Sequence, residues 1–380
     1  MSEQDFPEDE FAARTQAAQK VMHAQGIDAL FFTTEAEMRY FTGFRTLFWQ
    51  SPTRPWFLVV PVNGKPIAVI PQIGAHLMAS TWIDDIRVFS APHPVDDGIA
   101  LLADTLKGFT KIAMPMGRES VLRMPLRDFQ HLRDLTNDSE YLDGTGLIQS
   151  LRMVKSEREI SLLREICGIG SEAFARAPEL FHSGQPLNEV FRSFRIELLK
   201  QGADDVPYLV GGAGQDGYGD VISPPSTRPL QEGDVLMLDT GATKNGYFCD
   251  FDRNFAIGQA SDAVRSAHET LVRAVEAAAE IARPGRTCAD LFQSMAKVLD
   301  QGEGDVGRLG HGLGMQLTEA PSLTGFDEIP LRENMVLTLE PSLALGPGRM
   351  MVHEENIVVR DGSPEFLTVP AGPDIPVITR

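Results

Sequence analysis

The sequence predicts an α+β chain in two parts. Residues 1–150 form a smaller α/β domain and residues 151–380 a larger domain of helices packed on an antiparallel sheet. Three observations lead there. At 380 residues the chain is long for one domain and comfortable for two. The first 150 residues alternate short helical and strand patterns, the rhythm of an α/β layer. Beyond residue 151, long amphipathic helices are interleaved with β-rich stretches whose ends carry acidic residues.

In order, residues 11–25 read as an amphipathic helix stopped by Gly26, and 29–33 as a short apolar strand. Strands at 56–62 and 67–71 flank Asn63-Gly64-Lys65-Pro66, a hairpin signal. A strand at 86–90, a helix over 95–107 and a strand at 111–115 continue a mixed sheet. No glycine-rich phosphate loop interrupts it. One long helix is expected over 151–177, with Ser156 and Glu159 as a capping box and the domain junction just before it. Helices follow at 186–201, 260–282 and 288–301, and strands at 234–239, 247–255, 335–340 and 355–359.

Composition narrows the function. A net charge of −19 argues against nucleic-acid binding, which needs clustered Lys and Arg. No apolar run reaches the roughly 18 residues of a membrane span. The acidic start, Met1-Ser2-Glu3-Gln4-Asp5, lacks the basic and apolar regions of a signal peptide. Three widely spaced cysteines (Cys167, Cys249, Cys288) fit a reducing cytoplasm rather than a disulfide framework.

The chemistry concentrates in five residues: Asp239, Asp250, His311, Glu340 and Glu354. Four carboxylates and one imidazole are a hard, oxygen-rich donor set, suited to divalent Mn, Fe, Co or Zn and unsuited to a thiophilic ion. The stretch 233–241 reads as a buried strand that ends at Asp239 and a turn. Lys244-Asn245-Gly246 then leads into a second strand carrying Asp250, so the two aspartates come side by side among apolar neighbours. A buried carboxylate pair cannot ionise fully without a cation between its members. Gly310-His311-Gly312-Leu313-Gly314 presents an imidazole on a backbone whose glycines clear space around the ring. Glu340 precedes Pro341 at a strand end, and Glu354 enters the last long strand.

On these motifs the chain resembles the pita-bread metalloenzymes (family M24): methionine aminopeptidase, aminopeptidase P, prolidase and creatinase. The resemblance rests on the 11-residue step from Asp239 to Asp250, Asp250-x-x-Arg253, Gly310-His311-Gly312-x-Gly314, Leu339-Glu340-Pro341 and Glu354-x-x-Ile357-Val358-Val359. It spans essentially the whole chain, and the two-domain plan is that of the creatinase/prolidase branch. It implies a C-terminal pita-bread domain behind a creatinase-type N-terminal domain. It further implies two divalent ions (Mn, Zn, Co or Fe), one held by Asp239, Asp250 and Glu354, the other by Asp250, His311, Glu340 and Glu354. Glu354 is preferred over Glu355 because Ile357-Val358-Val359 fixes the register and strand neighbours face opposite ways. The implied reaction is hydrolysis of an Xaa-Pro or related C–N bond by a metal-bridging hydroxide, with Glu340 moving protons and His311 bordering the substrate. A cytoplasmic homodimer acting on a small peptide or small-molecule amide is the expected context.

The chain departs from the family at two places. Proline-handling members carry a histidine seven residues after the glycine-histidine motif, where this chain has Thr318. They carry another upstream of the first aspartate, where 219–225 contains none, Ile222 lying at its centre. Thr318, Asp220 and Ser223 are the candidate replacements. The Phe41–Trp56 stretch, rich in aromatics, offers Arg45 or Arg54 for a substrate carboxylate and Phe48 or Trp49 as a pocket wall. It reads equally as a surface loop anchored by tryptophan. Two alternatives stand beside the peptidase: a small-molecule C–N hydrolase or lyase related to creatinase, and a non-enzymatic binding module.

Overall fold

The computed structural model describes residues 6–51, 54–300 and 307–379. The acidic start at Met1–Asp5, Pro52 and Thr53 of the aromatic stretch, and the end of the helix expected to reach Gln301 lie outside the described residues. The chain separates into two compact units, Met1–Arg152 and Met153–Arg380. No helix among the described residues is long and apolar enough to cross a membrane.

The first unit runs α1 (Glu8–Gln25), β1 (Ala29–Phe32), α2 (Glu35–Thr42), β2 (Phe57–Pro61), β3 (Ile67–Pro71), α3 (Ala75–Met78), β4 (Asp85–Phe89), α4 (Ile99–Leu106), β5 (Lys111–Met114), α5 (Leu126–Leu135), β6 (Glu140–Asp143) and α6 (Thr145–Met153). Its strands form one mixed sheet in the order β4-β3-β2-β1-β5-β6. The β1–β2 and β2–β3 pairs are antiparallel, and the pairs β1–β5, β3–β4 and β5–β6 are parallel. Gly26 ends α1 at φ 66°, a left-handed conformation that glycine adopts without strain. The helix expected from residue 95 starts only at Ile99. Gly98 is left-handed at φ 90°, and the Asp96 carboxylate caps the N–H groups of Ile99 and Ala100.

The second unit runs α7 (Glu157–Ala175), α8 (Ala177–Leu180), α9 (Leu187–Gln201), β7 (Asp205–Gln215), β8 (Asp234–Lys244), β9 (Tyr247–Phe248), β10 (Phe251–Ile257), α10 (Asp262–Ile281), α11 (Cys288–Leu299), β11 (His311–Gly312), β12 (Glu319–Ser322), β13 (Val336–Leu339), β14 (Ser342–Gly346), β15 (Arg349–Val352), β16 (Glu355–Val358), β17 (Glu365–Phe366) and β18 (Val377–Ile378). One sheet is ordered β18-β10-β8-β7 with β9 on β8; the other is β12-β11-β13-β16-β17. Helices α10 and α11 pack by an alanine-rich face, Ala267, Ala274 and Ala278 with Leu271, against Leu291, Phe292 and Met295. The same buried cluster takes in Met237 of β8, Leu337 of β13 and Ile357 of β16. Each large side chain so buried contributes about 1.5–3 kcal/mol, which makes both sheets a stiff platform.

Two expectations change here. The single helix over 151–177 is two helices, because 154–156 leave the helical path. Val154 bridges to Met335, the Lys155 N–H donates to the Asn334 carbonyl at 2.9 Å, and the Lys155 ammonium is buried on Glu319 at 3.1 Å. Ser156 then starts α7 with the expected capping box. Nor does β8 end at Asp239; it continues to Lys244. Gly241 permits close packing rather than a turn: a Cβ there would stand 2.3 Å from Leu317 Cδ1 and 3.0 Å from Tyr208 Cβ. The turn lies at Asn245-Gly246, left-handed at φ 45° and 66°.

Candidate metal centre

Asp239 lies inside β8, opposite Val210 of β7 and Asp252 of β10. Asp250 sits in the gap between β9 and β10. Buried Asn356 grips its peptide from both sides: the Asp250 N–H donates to Asn356 Oδ1 at 3.1 Å, and Asn356 Nδ2 donates to the Asp250 carbonyl. His311 opens β11, where its N–H donates to Thr338 Oγ1 at 3.1 Å. Glu340 follows β13, its N–H on the Leu309 carbonyl at 3.0 Å. Glu354 precedes β16, its N–H on Asp252 Oδ1 at 2.8 Å.

Three of these side chains converge: one ligand atom each from Asp250, His311 and Glu354 lies within 4.8 Å of the other two. His311 Nε2 is 3.4 Å from Asp250 Oδ2 and 3.9 Å from Glu340 Oε2. Its Nδ1 is 2.9 Å from the Gly312 carbonyl. A carbonyl only accepts, so Nδ1 carries the proton and the Nε2 lone pair faces the carboxylates. The glycines serve the backbone rather than the ring. A Cβ on Gly310 would meet the Thr338 carbonyl at 2.2 Å, and one on Gly312 the Ala320 carbonyl at 2.2 Å.

The electrostatics of the bare cluster are unfavourable. Burial, then the Asp252 and Glu340 charges, push the Asp239 carboxyl well above its usual range. Burial and Asp239 do the same to Asp250, and burial and Asp250 to Glu354. Burial raises Glu340 to about 7 against the opposing charge of Arg308, and lowers His311 to about 4, so the imidazole is neutral. Asp239 Oδ1 and Glu354 Oε1 are buried with no hydrogen-bond partner. Orphaned carboxylate oxygens beside a neutral imidazole are what a divalent cation would satisfy, so the donor set fits a metal.

The other expected site residues are placed differently. Thr318, half-buried, receives Arg308 Nη2 at 3.5 Å. Asp220 is exposed and caps its own loop, accepting from the N–H groups of Ile222 at 2.8 Å and Ser223 at 3.0 Å. Arg45, Trp49 and Arg54 belong to the first unit. There Trp49 packs on Trp56 at 5.7 Å and under the Arg123 guanidinium, Arg54 lies over Phe48, and Arg45 is exposed.

Sequence reasoning missed Tyr208, Asn356 and the pairing of Asp252 with His353. Tyr208 on β7 donates its hydroxyl to Asp239 Oδ2 at 3.3 Å; burial and the neighbouring carboxylates raise its own pKa, so it stays protonated. Nothing in the spacing points to it. Asn356 was detectable, as an amide in an otherwise apolar strand that must find partners. Asp252, His353 and Glu355 form a buried polar group beside Glu354, with Arg253 on Glu355 at 2.9 Å.

Comparison with known proteins gives the family and the fold. Residues 161–361 match the model of metallopeptidase family M24, and residues 14–154 that of the creatinase/prolidase N-terminal domain. The chain is 27% identical over 374 residues to a protein of Mycobacterium bovis described as "Probable dipeptidase PepE", covering 94% of each chain. It is 25% identical over 354 residues to the Xaa-Pro dipeptidase of Pyrococcus furiosus, covering 92% of this chain and 95% of that one. The crystal structure of dipeptidase PepE from Mycobacterium ulcerans superposes with a TM-score of 0.85 at 26% identity, over 98% of this chain and 99% of that one.

Proposed function

The chain belongs to metallopeptidase family M24, and from that premise we propose that it hydrolyses Xaa-Pro or related dipeptides at a centre of two divalent cations. Asp239, Asp250, His311, Glu340 and Glu354 would hold the pair, with Asp250 and Glu354 shared. One observation carries the reading: an orphaned oxygen of Glu354 is buried in the cluster it forms with Asp250 and His311, and Asp239, with an orphaned oxygen of its own, acts on the same carboxylates. Manganese, zinc, cobalt and iron all suit these donors. A cytoplasmic homodimer is part of the same proposal.

When bound, such cations polarise the scissile carbonyl and bring a water's pKa near neutrality. The protein's share is placement and proton transfer. His311 keeps Nε2 aimed inward because Nδ1–H is spent on the Gly312 carbonyl. The Glu340 side chain keeps 36% exposure, against 6% for Asp250 and 3% for His311. It is therefore placed to take a proton from water and return it to the leaving amine. Thr318, with Arg308 beside it, borders the substrate in this reading, and Asp220, Arg45, Arg54 and Trp49 stay candidates for contacting it.

A second reading, a small-molecule C–N hydrolase or lyase, is favoured by the absence of histidine at Thr318 and throughout 219–225. The deciding experiment loads the protein with Mn²⁺, Co²⁺ or Zn²⁺ and offers Xaa-Pro dipeptides, longer Xaa-Pro peptides and small amides, with Glu340→Gln as control. Metal-dependent cleavage of Xaa-Pro that the control loses supports the peptidase. Bound metal with no peptide cleavage sinks it and favours the second reading.

A further inference from the structure

Glu354 is not held by a strand ladder. β16 begins one residue later, where Glu355 faces Leu339 of β13. Side chains take both main-chain groups of Glu354 instead. Its N–H donates to Asp252 Oδ1 at 2.8 Å, and its carbonyl accepts Arg253 Nη1 at 3.0 Å.

One ring ties those two side chains together. His353 Nδ1 faces Asp252 Oδ1 at 3.6 Å, an ion-pair approach just beyond hydrogen-bond reach, and His353 Nε2 lies 3.3 Å from Glu355 Oε1. Glu355 accepts Arg253 Nη2 at 2.9 Å, which returns the path to the Glu354 carbonyl. The circuit closes on the residue it encloses. The side chains of Asp252, His353 and Glu355 are each 1% exposed, so water cannot take over a lost contact. None of the three is among the five metal-site residues.

We propose that His353 is a positioning residue: by spanning Asp252 and Glu355 it fixes the peptide of Glu354, and so the direction in which the Glu354 carboxylate enters the cluster. The proposal rests on the reading of Glu354 as a metal ligand. Partners of this kind, one step removed from the ion, change metal affinity by about 10–100-fold when lost. A ring that only fills the core would change folding stability and leave the ion's surroundings alone.

The test uses the full chain stripped by chelator, titrated calorimetrically with Mn²⁺ and Co²⁺, with the visible absorption of the Co²⁺ form recorded. His353→Leu should weaken binding by about 10–100-fold and shift the Co²⁺ bands, while His353→Gln, which can still donate to one carboxylate, recovers part of both. Should His353→Leu fail to fold, Asp252→Asn asks the same question, because it can still accept from the Glu354 N–H while losing its charge opposite the ring. Wild-type affinity and Co²⁺ spectrum in the folded variants would overturn the proposal, whatever happens to the melting temperature. If the wild-type protein binds neither ion, the metal-centre reading falls first, and that outcome is distinguishable because no variant is needed to see it.

Discussion

Glu354 and Glu355 are neighbours in the chain, 3% and 1% exposed, yet their carboxyl groups behave oppositely. Burial raises Glu354, and Asp250, Glu340, Asp239 and Asp252 raise it further. Burial also opposes ionisation of Glu355, but Arg253, His353 and Thr368 outweigh it and hold that carboxyl at about 2. The two faces of one strand entry therefore meet two electrostatic worlds. One is a group of carboxylates crowded on one another with Arg308 as the opposing charge, and the other is paired with Arg253 and His353. Neither burial nor an unpartnered oxygen alone marks a functional carboxylate, since Asp252 Oδ2 has both; burial among like charges that raise the carboxyl pKa does.

Exchanging the two glutamates breaks this comparison most sharply. Glu354→Gln should lower metal-dependent activity by more than about 100-fold, beyond the loss typical of an outer partner, while leaving the chelated protein at least as stable as wild type. Glu355→Gln should do the reverse in kind. It removes the charge paired with Arg253, which keeps the Asp252, Glu354 and Val369 carbonyls as acceptors, so the loss should approach but not exceed the about 3–5 kcal/mol of a broken buried pair. Denaturant melts of the metal-free proteins, set beside metal titrations, read both effects. Equal stability losses in the two variants would mean that the faces do not differ as described.

The second consequence concerns pH and metal. Asp239, Asp250, Glu354 and Glu340 have folded-state pKa values above their unfolded ones. Their contribution is therefore present below about pH 4 and lost as pH rises; for Glu340 the loss runs through about 7. Glu355 acts oppositely, contributing above its unfolded value and losing that contribution only as pH falls toward about 2. The chelated chain should thus melt lower at pH 8 than at pH 5. A divalent ion at about 100 times its Kd adds roughly 2.7 kcal/mol and should flatten that slope. A chelated protein whose melting temperature rises from pH 5 to pH 8 contradicts the sign.

Much of this was legible in the chain. Hydrophobic periodicity placed most helices and strands, because those segments bury a face whose pattern is local. The five candidate ligands stand out through the order and spacing of their motifs together, with His311 between glycines, Glu340 before Pro341, Asp239 and Glu354 at expected strand boundaries and Asp250 within an expected strand. What stayed hidden depends on residues distant in sequence. The helix break at 154–156 follows from Lys155 pairing with Glu319, 164 residues away. Gly241 reads as a turn signal until Tyr208 and Leu317 are seen packed over it. His353 and Asp252 look like surface polar residues until the fold closes a ring of contacts around Glu354.

Tyr208 sharpens the comparison from the metal side, with the smallest expected effect. Tyr208 is opposite Gly241 in the β7–β8 register, and the missing Cβ at Gly241 lets its side chain lie close against β8. From there the hydroxyl reaches Asp239, two residues back along β8, at 3.3 Å. It is the hydrogen-bond donor recorded on a carboxylate whose other oxygen has none. Tyr208→Phe keeps the ring and removes that donor. A hydrogen bond to a charged acceptor is worth about 1.5–3 kcal/mol, and this long one belongs at the low end, so metal affinity should fall about 10-fold. Gly241→Ala should reproduce that loss by displacing the ring, and should add an overpacking cost of about 1–3 kcal/mol in stability. If Tyr208→Phe binds metal as wild type does while Gly241→Ala is only less stable, Asp239 is oriented by its strand alone, and the hydroxyl is free to serve the substrate instead.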